Sequence, residues 1–136
     1  CRGDYDLVIA LLKRYDVLMV NPILDGMNIV AKEGSVVNEN NGVLILSTGA
    51  GCYEELKEGA ICINPYDIRQ TAESIDAALL MDETAKKELI TEARAAVARN
   101  DLNRWVSDQL QDLEIVMQER QQLTGKNREE ARLGMN

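Results

Sequence analysis

The chain has no histidine and no phenylalanine, and its 136 residues include only two prolines, one tryptophan and three cysteines. Without histidine it lacks the commonest general base and the commonest metal ligand, so it cannot run an imidazole mechanism alone. Cys1, Cys52 and Cys62 form no C-x-x-C pair and have no histidine to complete a zinc set. They therefore read as free thiols in a reducing compartment. No apolar run approaches the roughly 20 residues of a membrane span. The net charge of -8 leaves no basic patch for nucleic acid, so phosphate bound here is held by backbone N–H groups. These absences point to a soluble, cytoplasmic protein with no membrane and no nucleic acid among its partners. Position 1 is Cys and no signal-peptide pattern follows, so the sequence reads as a piece of a longer protein.

What is present is an ordinary apolar fraction, 46%, made almost wholly of Leu, Ile, Val, Ala and Met. Such residues suit helices packed on a sheet, and the length suits one folded unit. The order of elements agrees. Leu7, Val8, Leu11 and Leu12 recur at helical spacing behind a capping Asp4. Val17 to Val20 is a continuous apolar run stopped by Asn21-Pro22, as expected of a strand buried on both faces. A helix is expected between Gly26 and Asn38, weakened by Gly34 and Ser35, then a strand over Val43–Leu46.

The loop Ser47-Thr48-Gly49-Ala50-Gly51 follows, then a helical stretch over Tyr53–Glu58 and a third strand over Ala60–Ile63. Asp67 caps a helix through Ile75 and Leu79, and Asp82 starts another through Ile90 and Val97. Leu102, Trp105, Val106, Leu110, Leu113 and Met117 mark a final amphipathic helix, with Trp105 on its apolar face. Lys86, Lys87, Arg94 and Arg99 read as a solvated face. The pattern fades after Gln121, so residues 1–121 form the domain and 122–136 a polar, disordered tail. Alternating strands and helices imply an α/β fold with a parallel sheet, to which the last helices are appended.

Open parallel sheets bind ligands beyond the carboxyl ends of their strands, which directs attention to the run Asp25 to Glu33. If most of that run is helical, its two carboxylates stand about 12 Å apart, a separation that suits the two ends of a nucleotide sugar. The unpaired N–H groups from Met27 to Val30, with the helix dipole, favour a diphosphate, and Gly26 admits close approach of a ligand. Asp25 then accepts hydrogen bonds from sugar hydroxyls and Glu33 from a ribose. Spacing alone equally accommodates a capping Asp25 and a solvated Glu33. The Ser47–Gly51 loop can face the same crevice or be a plain turn, and Asn64-Pro65-Tyr66-Asp67 reads as a strand stop and a helix cap.

Asp25-Gly26-Met27-Asn28-Ile29-Val30-Ala31-Lys32-Glu33 resembles the donor-binding motif of the trehalose-6-phosphate synthase family, the retaining glycosyltransferases of family 20 with the two-domain GT-B fold. Tyr15 to Pro22, Val43 to Ser47 with Gly49-Ala50, Ile63 to Asp67 and Trp105 match in the same order, so the resemblance covers roughly Asp4 to Leu113. It implies the C-terminal, Rossmann-like, nucleotide-sugar-binding half of such an enzyme. Asp25 with the backbone of Gly26, Met27 and Asn28 would hold the donor glucose. Ile29, Val30, Ala31 and Lys32 would lie along the diphosphate, and Glu33 would hold the ribose.

The complete enzymes join glucose from UDP-glucose or another nucleotide-glucose to glucose 6-phosphate, with retention and without a metal or other cofactor. The implied partners are therefore a nucleotide-sugar donor, a sugar-phosphate acceptor and an absent N-terminal domain. That domain carries the family histidine, and an Arg/Lys pair for the diphosphate lies upstream of this chain. A homo-oligomer stays open. Related synthases making glucosylglycerol phosphate or a pseudo-disaccharide phosphate share most of this half, and a non-catalytic doubly wound regulatory module is the alternative from another class.

Overall fold

A computed structural model describes residues 4–133, so Cys1 lies outside the described residues. Helix α1 (Tyr5–Leu12) starts at Asp4, whose carboxylate accepts from the Leu7 amide at 3.2 Å. Strand β1 (Val17–Val20) leads through a loop to α2 (Ile29–Val37), and β2 (Val43–Ser47) follows. Helix α3 (Tyr53–Leu56) tightens into a 3-10 turn at Lys57–Gly59 before β3 (Ile61–Ile63). Helices α4 (Ile68–Leu80), α5 (Glu83–Arg99) and α6 (Leu102–Leu133) complete the order.

The three strands form one parallel sheet in the order β1-β2-β3. Val17 to Val20 pair with Val43 to Leu46, and Ile45 to Ser47 pair with Ile61 to Ile63. Every residue of the central strand β2 is buried. Successive side chains of a strand point to opposite faces. Leu44 and Leu46 accordingly join Val20, Ala31, Cys52, Leu56 and Ala96 beneath α2, α3 and α5, while Val43 and Ile45 join Ile63 and Ala78 beneath α4. Burying each of these β2 side chains contributes about 2 kcal/mol, enough to fix which face each residue takes.

Gly34 and Ser35, which weaken the helical pattern on paper, sit on the buried side of α2. A Cβ on Gly34 would run into the Leu18 side chain, so the small residue lets α2 lie close to β1, and Ser35 Oγ donates to the Ala31 carbonyl at 2.8 Å. Asn38, 1% exposed, ends the helix and ties three segments together. Its amide donates to the carbonyls of Leu12 (3.3 Å) and Tyr15 (2.9 Å), and its side-chain oxygen accepts from the amides of Asn40 (2.9 Å) and Gly42 (2.8 Å).

Arg94 departs from the expected solvated face. It lies half-buried and donates to the carbonyls of Ser35 (3.1 Å) and Asn38, placing a cation on the carbonyl end of α2, where the helix dipole favours it. Arg99 keeps the expected role through an ion pair with Glu92, whereas Lys86, paired with Glu83, is largely covered, its side chain 17% exposed.

Helix α6 belongs to a second compact unit that begins at Asn100. Its Leu102, Trp105, Val106, Leu110, Leu113 and Met117 are all exposed, Trp105 at 52%. The helix continues to Leu133, past the point near Gln121 where the apolar pattern fades. The reason is compositional: Gln, Glu, Arg and Lys, which dominate that stretch, are good helix formers even without an apolar stripe.

Candidate functional site

The site lies at the carboxyl edge of the sheet, where the loops after β1 and β2 meet. Parallel pairing of Val20 with Leu46 brings the two strand ends side by side. Ser47 Oγ donates across to the Pro22 carbonyl and accepts from the Gly49 amide at 3.0 Å. The Thr48 amide donates to the Ile63 carbonyl at 2.9 Å, joining the same loop to the end of β3. A Cβ on Gly49 would fall on the carbonyl of Ile23, and one on Gly51 would fall on the Gly26 carbonyl and the Met27 amide nitrogen. The Ser47–Gly51 loop is thus not a plain turn. Its glycines let one backbone lie directly against the other.

The helix in this run begins later than the sequence suggests. It starts at Ile29, and its cap is Asn28, held at φ 57° with its side-chain oxygen accepting from the Ala31 amide at 3.2 Å. Asparagine tolerates this left-handed conformation better than most residues, and the backbone turn it makes delays the helix. Asp25 is therefore not the helix cap, and only the second half of the interval to Glu33 is helical. The half-buried Asp25 carboxylate instead accepts from the Met27 amide at 3.0 Å and from the Asn28 side-chain amide. These two bonds fix its orientation while leaving further acceptor capacity.

Of the amides from Met27 to Val30, that of Met27 is taken by Asp25. Ile29 and Val30 open the first turn, where no intrahelical acceptor exists. Among the described residues neither amide donates a hydrogen bond, and both residues are exposed. Gly26 is also exposed. It has no positive φ, and a Cβ there would meet nothing within 4 Å. Nothing in the packing of the described chain calls for glycine at this position.

Lys32 does not extend a free ammonium towards this edge. Its Nζ lies 2.8 Å from both carboxylate oxygens of Glu55 on α3. Glu33, half-buried, accepts a long hydrogen bond of 3.4 Å from the Tyr5 hydroxyl on α1. Beneath the loops, Cys52 is fully buried. Burial pushes its thiol above the ordinary range, the Lys32 ammonium opposes this, and the Glu55 and Asp25 carboxylates reinforce it. Cys52 and Cys62 are both free thiols.

Asn64 to Asp67 is structural, as expected: Asp67 accepts from the Gln70 amide at 2.9 Å and Asn64 from the Tyr66 amide at 3.0 Å. Among the described residues, no group of three or more His, Cys, Asp or Glu could hold a metal ion, and no helix is long and apolar enough to cross a membrane.

The family model of glycosyltransferase family 20 matches residues 2–115. The chain belongs to glycosyltransferase family 20.

Within family 20, the chain is 41% identical over 109 residues to the glucosylglycerol-phosphate synthase of Synechocystis, covering 79% of this chain and 22% of that protein. It is 35% identical over 116 residues to the trehalose-6-phosphate synthase of Escherichia coli, covering 84% of this chain and 24% of that protein. The E. coli trehalose-6-phosphate protein solved with bound UDP-2-fluoro glucose has a similar fold, with a TM-score of 0.76 and 34% identity over 83% of this chain and 25% of that one. The chain therefore spans about a quarter of the length of these relatives. The α/β architecture expected of the nucleotide-sugar half of a GT-B enzyme is the one observed.

Two roles at this edge do not come from the sequence. Asn28 is expected to contribute its backbone to the sugar site, not to cap α2, because Asp25 three positions earlier is the capping candidate. Glu55 carried no signal, because an acidic residue on a short helix ordinarily reads as solvated.

Proposed function

We propose that the chain forms the donor-binding wall of a retaining glycosyltransferase that moves glucose from a nucleotide-glucose to glucose 6-phosphate, giving trehalose 6-phosphate. The observation that carries this reading is Gly26, a glycine at the carboxyl edge of the sheet that neither its conformation nor its neighbours require. A ligand lying against the backbone accounts for it, and the free amides of Ile29 and Val30 stand three and four positions further on.

In this reading Asp25, with the backbone of Gly26 to Asn28, receives the glucose hydroxyls. The start of α2 receives the diphosphate, and Glu33 receives the ribose. The chemical contribution of these residues is electrostatic: N–H groups fixed in advance stabilise the negative charge that grows on the departing diphosphate. No metal is required for that role. The Lys32 charge is matched by Glu55, so Asp25 and Glu33 leave the local side-chain charge negative. A doubly charged leaving group then needs cations from elsewhere, the Arg/Lys pair proposed to lie upstream of this chain, while the proposed N-terminal domain supplies the acceptor site. The chain alone is expected to bind UDP or GDP weakly and to turn nothing over.

Calorimetry tests this. Weak nucleotide binding that Glu33→Ala abolishes supports the reading, whereas no heat at millimolar UDP or GDP with folded protein overturns it.

A second acceptor has a specific observation in its favour. Identity to the Synechocystis glucosylglycerol-phosphate synthase, 41%, exceeds the 35% to the E. coli trehalose-6-phosphate synthase. Assay of the complete enzyme with glucose 6-phosphate against glycerol 3-phosphate separates the two.

A further inference from the structure

We propose that Glu55 is a positioning residue for the donor site, acting through its ion pair with Lys32 to hold the wall after β2 against the wall after β1. The proposal rests on the donor-site reading above.

Lys32 stands on the first turn of α2, and its ammonium is 2.8 Å from each oxygen of Glu55. The two side chains are 22% and 32% exposed, so water screens the pair less than it screens a surface ion pair. Helix α3, which carries Glu55, is four residues long, and Cys52 at its start provides no side-chain capping bond. Burial of Cys52 and Leu56 in the core seats this helix, but no side-chain cap fixes its first turn. The backbone-level links between the two walls, Ser47 to Pro22, Gly49 to Ile23 and Gly51 to Gly26, all lie before α3 in the chain. The ion pair adds a polar link between that helix and α2 to the apolar contact beneath them.

The pair also changes the expected role of Lys32. An ammonium already held by two carboxylate oxygens is not a free cation for a diphosphate. If Lys32 were nevertheless a direct phosphate ligand that Glu55 merely parks, removing Glu55 would free it and nucleotide binding would tighten. If the pair positions the walls, removing either partner misaligns the sugar side, and the two losses do not add.

The readout is the ratio of the dissociation constants for UDP and UDP-glucose, which isolates what the glucose adds. It is measured by calorimetry on the full chain and on Lys32→Met, Glu55→Gln, the double variant, and the charge-swapped pair Lys32→Glu/Glu55→Lys. Thermal melting of each variant runs in parallel. The expected result is that either single substitution lowers the ratio by about tenfold, that the double variant is no worse than either single one, and that the swapped pair recovers most of the loss. Lys32→Arg and Glu55→Asp serve where a more drastic variant does not fold.

Tighter UDP binding by Glu55→Gln overturns the proposal in favour of a direct phosphate contact. Equal weakening towards UDP and UDP-glucose, following the loss of melting temperature, overturns it in favour of a purely structural pair. Wild-type chain that binds neither probe removes the donor-site reading itself, and this proposal with it.

Discussion

Gly51 rests on the backbone of Gly26 so closely that a Cβ on Gly51 would come within 2.2 Å of the Gly26 carbonyl oxygen. The two glycines are not equivalent. Gly51 is required by the chain itself, because main chain meets main chain there. Gly26 turns its other side to open space, where only something outside the described chain can need the room.

That asymmetry separates stability from binding. Gly51→Ala is expected to destabilise the fold by about 1–3 kcal/mol through overpacking against backbone that cannot move aside cheaply. Gly26→Ala is expected to change stability by less than about 0.5 kcal/mol, as for a surface substitution, while weakening binding of UDP-glucose. Urea unfolding and calorimetry on both variants check this. A large loss of stability in Gly26→Ala would show that its glycine is structural after all.

Asn38 offers a second check, on the part of the fold that supports α2 from behind. Its side chain makes four hydrogen bonds to main-chain groups around Leu12, Tyr15, Asn40 and Gly42. Asn38→Ala strands several of these groups away from water and should cost about 3 kcal/mol, measured as a lower urea midpoint at unchanged slope. Asn38→Asp is expected to be nearly as damaging, since it keeps the acceptor but replaces the donating amide with a charge.

Tyr15 predicts an alkaline limit. Its hydroxyl is buried with no hydrogen-bond partner among the described residues, and burial pushes its pKa up to about 12, with Arg94 pulling the other way. An unfolded tyrosine titrates near 10, roughly. Above that value the unfolded chain releases the proton first, so the unfolded state binds fewer protons and stability falls as pH rises. The contribution is fully present below about pH 10 and is lost by about pH 12. Tyr15→Phe should remove this dependence and cost little at neutral pH, because it deletes a hydroxyl that bonds to nothing. Unfolding curves at several alkaline pH values, compared between the two proteins, test both expectations.

Much of the framework was legible because its signals are local. Apolar runs stopped by Asn21-Pro22 and Asn64-Pro65 mark strands, and Asp4, Asp67 and Asp82 accept from the amides of the helices they start. The parallel sheet follows from alternation of strands with helices. Arg99 pairs with Glu92 on the surface, whereas Arg94, indistinguishable from it in sequence, reaches back to the carbonyls that end α2.

By itself, then, the sequence determined the α/β order of elements, the choice of the run from Asp25 to Glu33 as the candidate site, and the absence of any imidazole. These depend on residue type and on spacing of a few positions. Only the tertiary structure decided that Asn28 caps α2 in place of Asp25, that Gly51 lies on Gly26, and that Lys32 is held by Glu55. Each of the last two is a meeting of residues more than 20 positions apart, which no local pattern encodes. The first turned on one backbone angle at Asn28, which the sequence does not encode on its own.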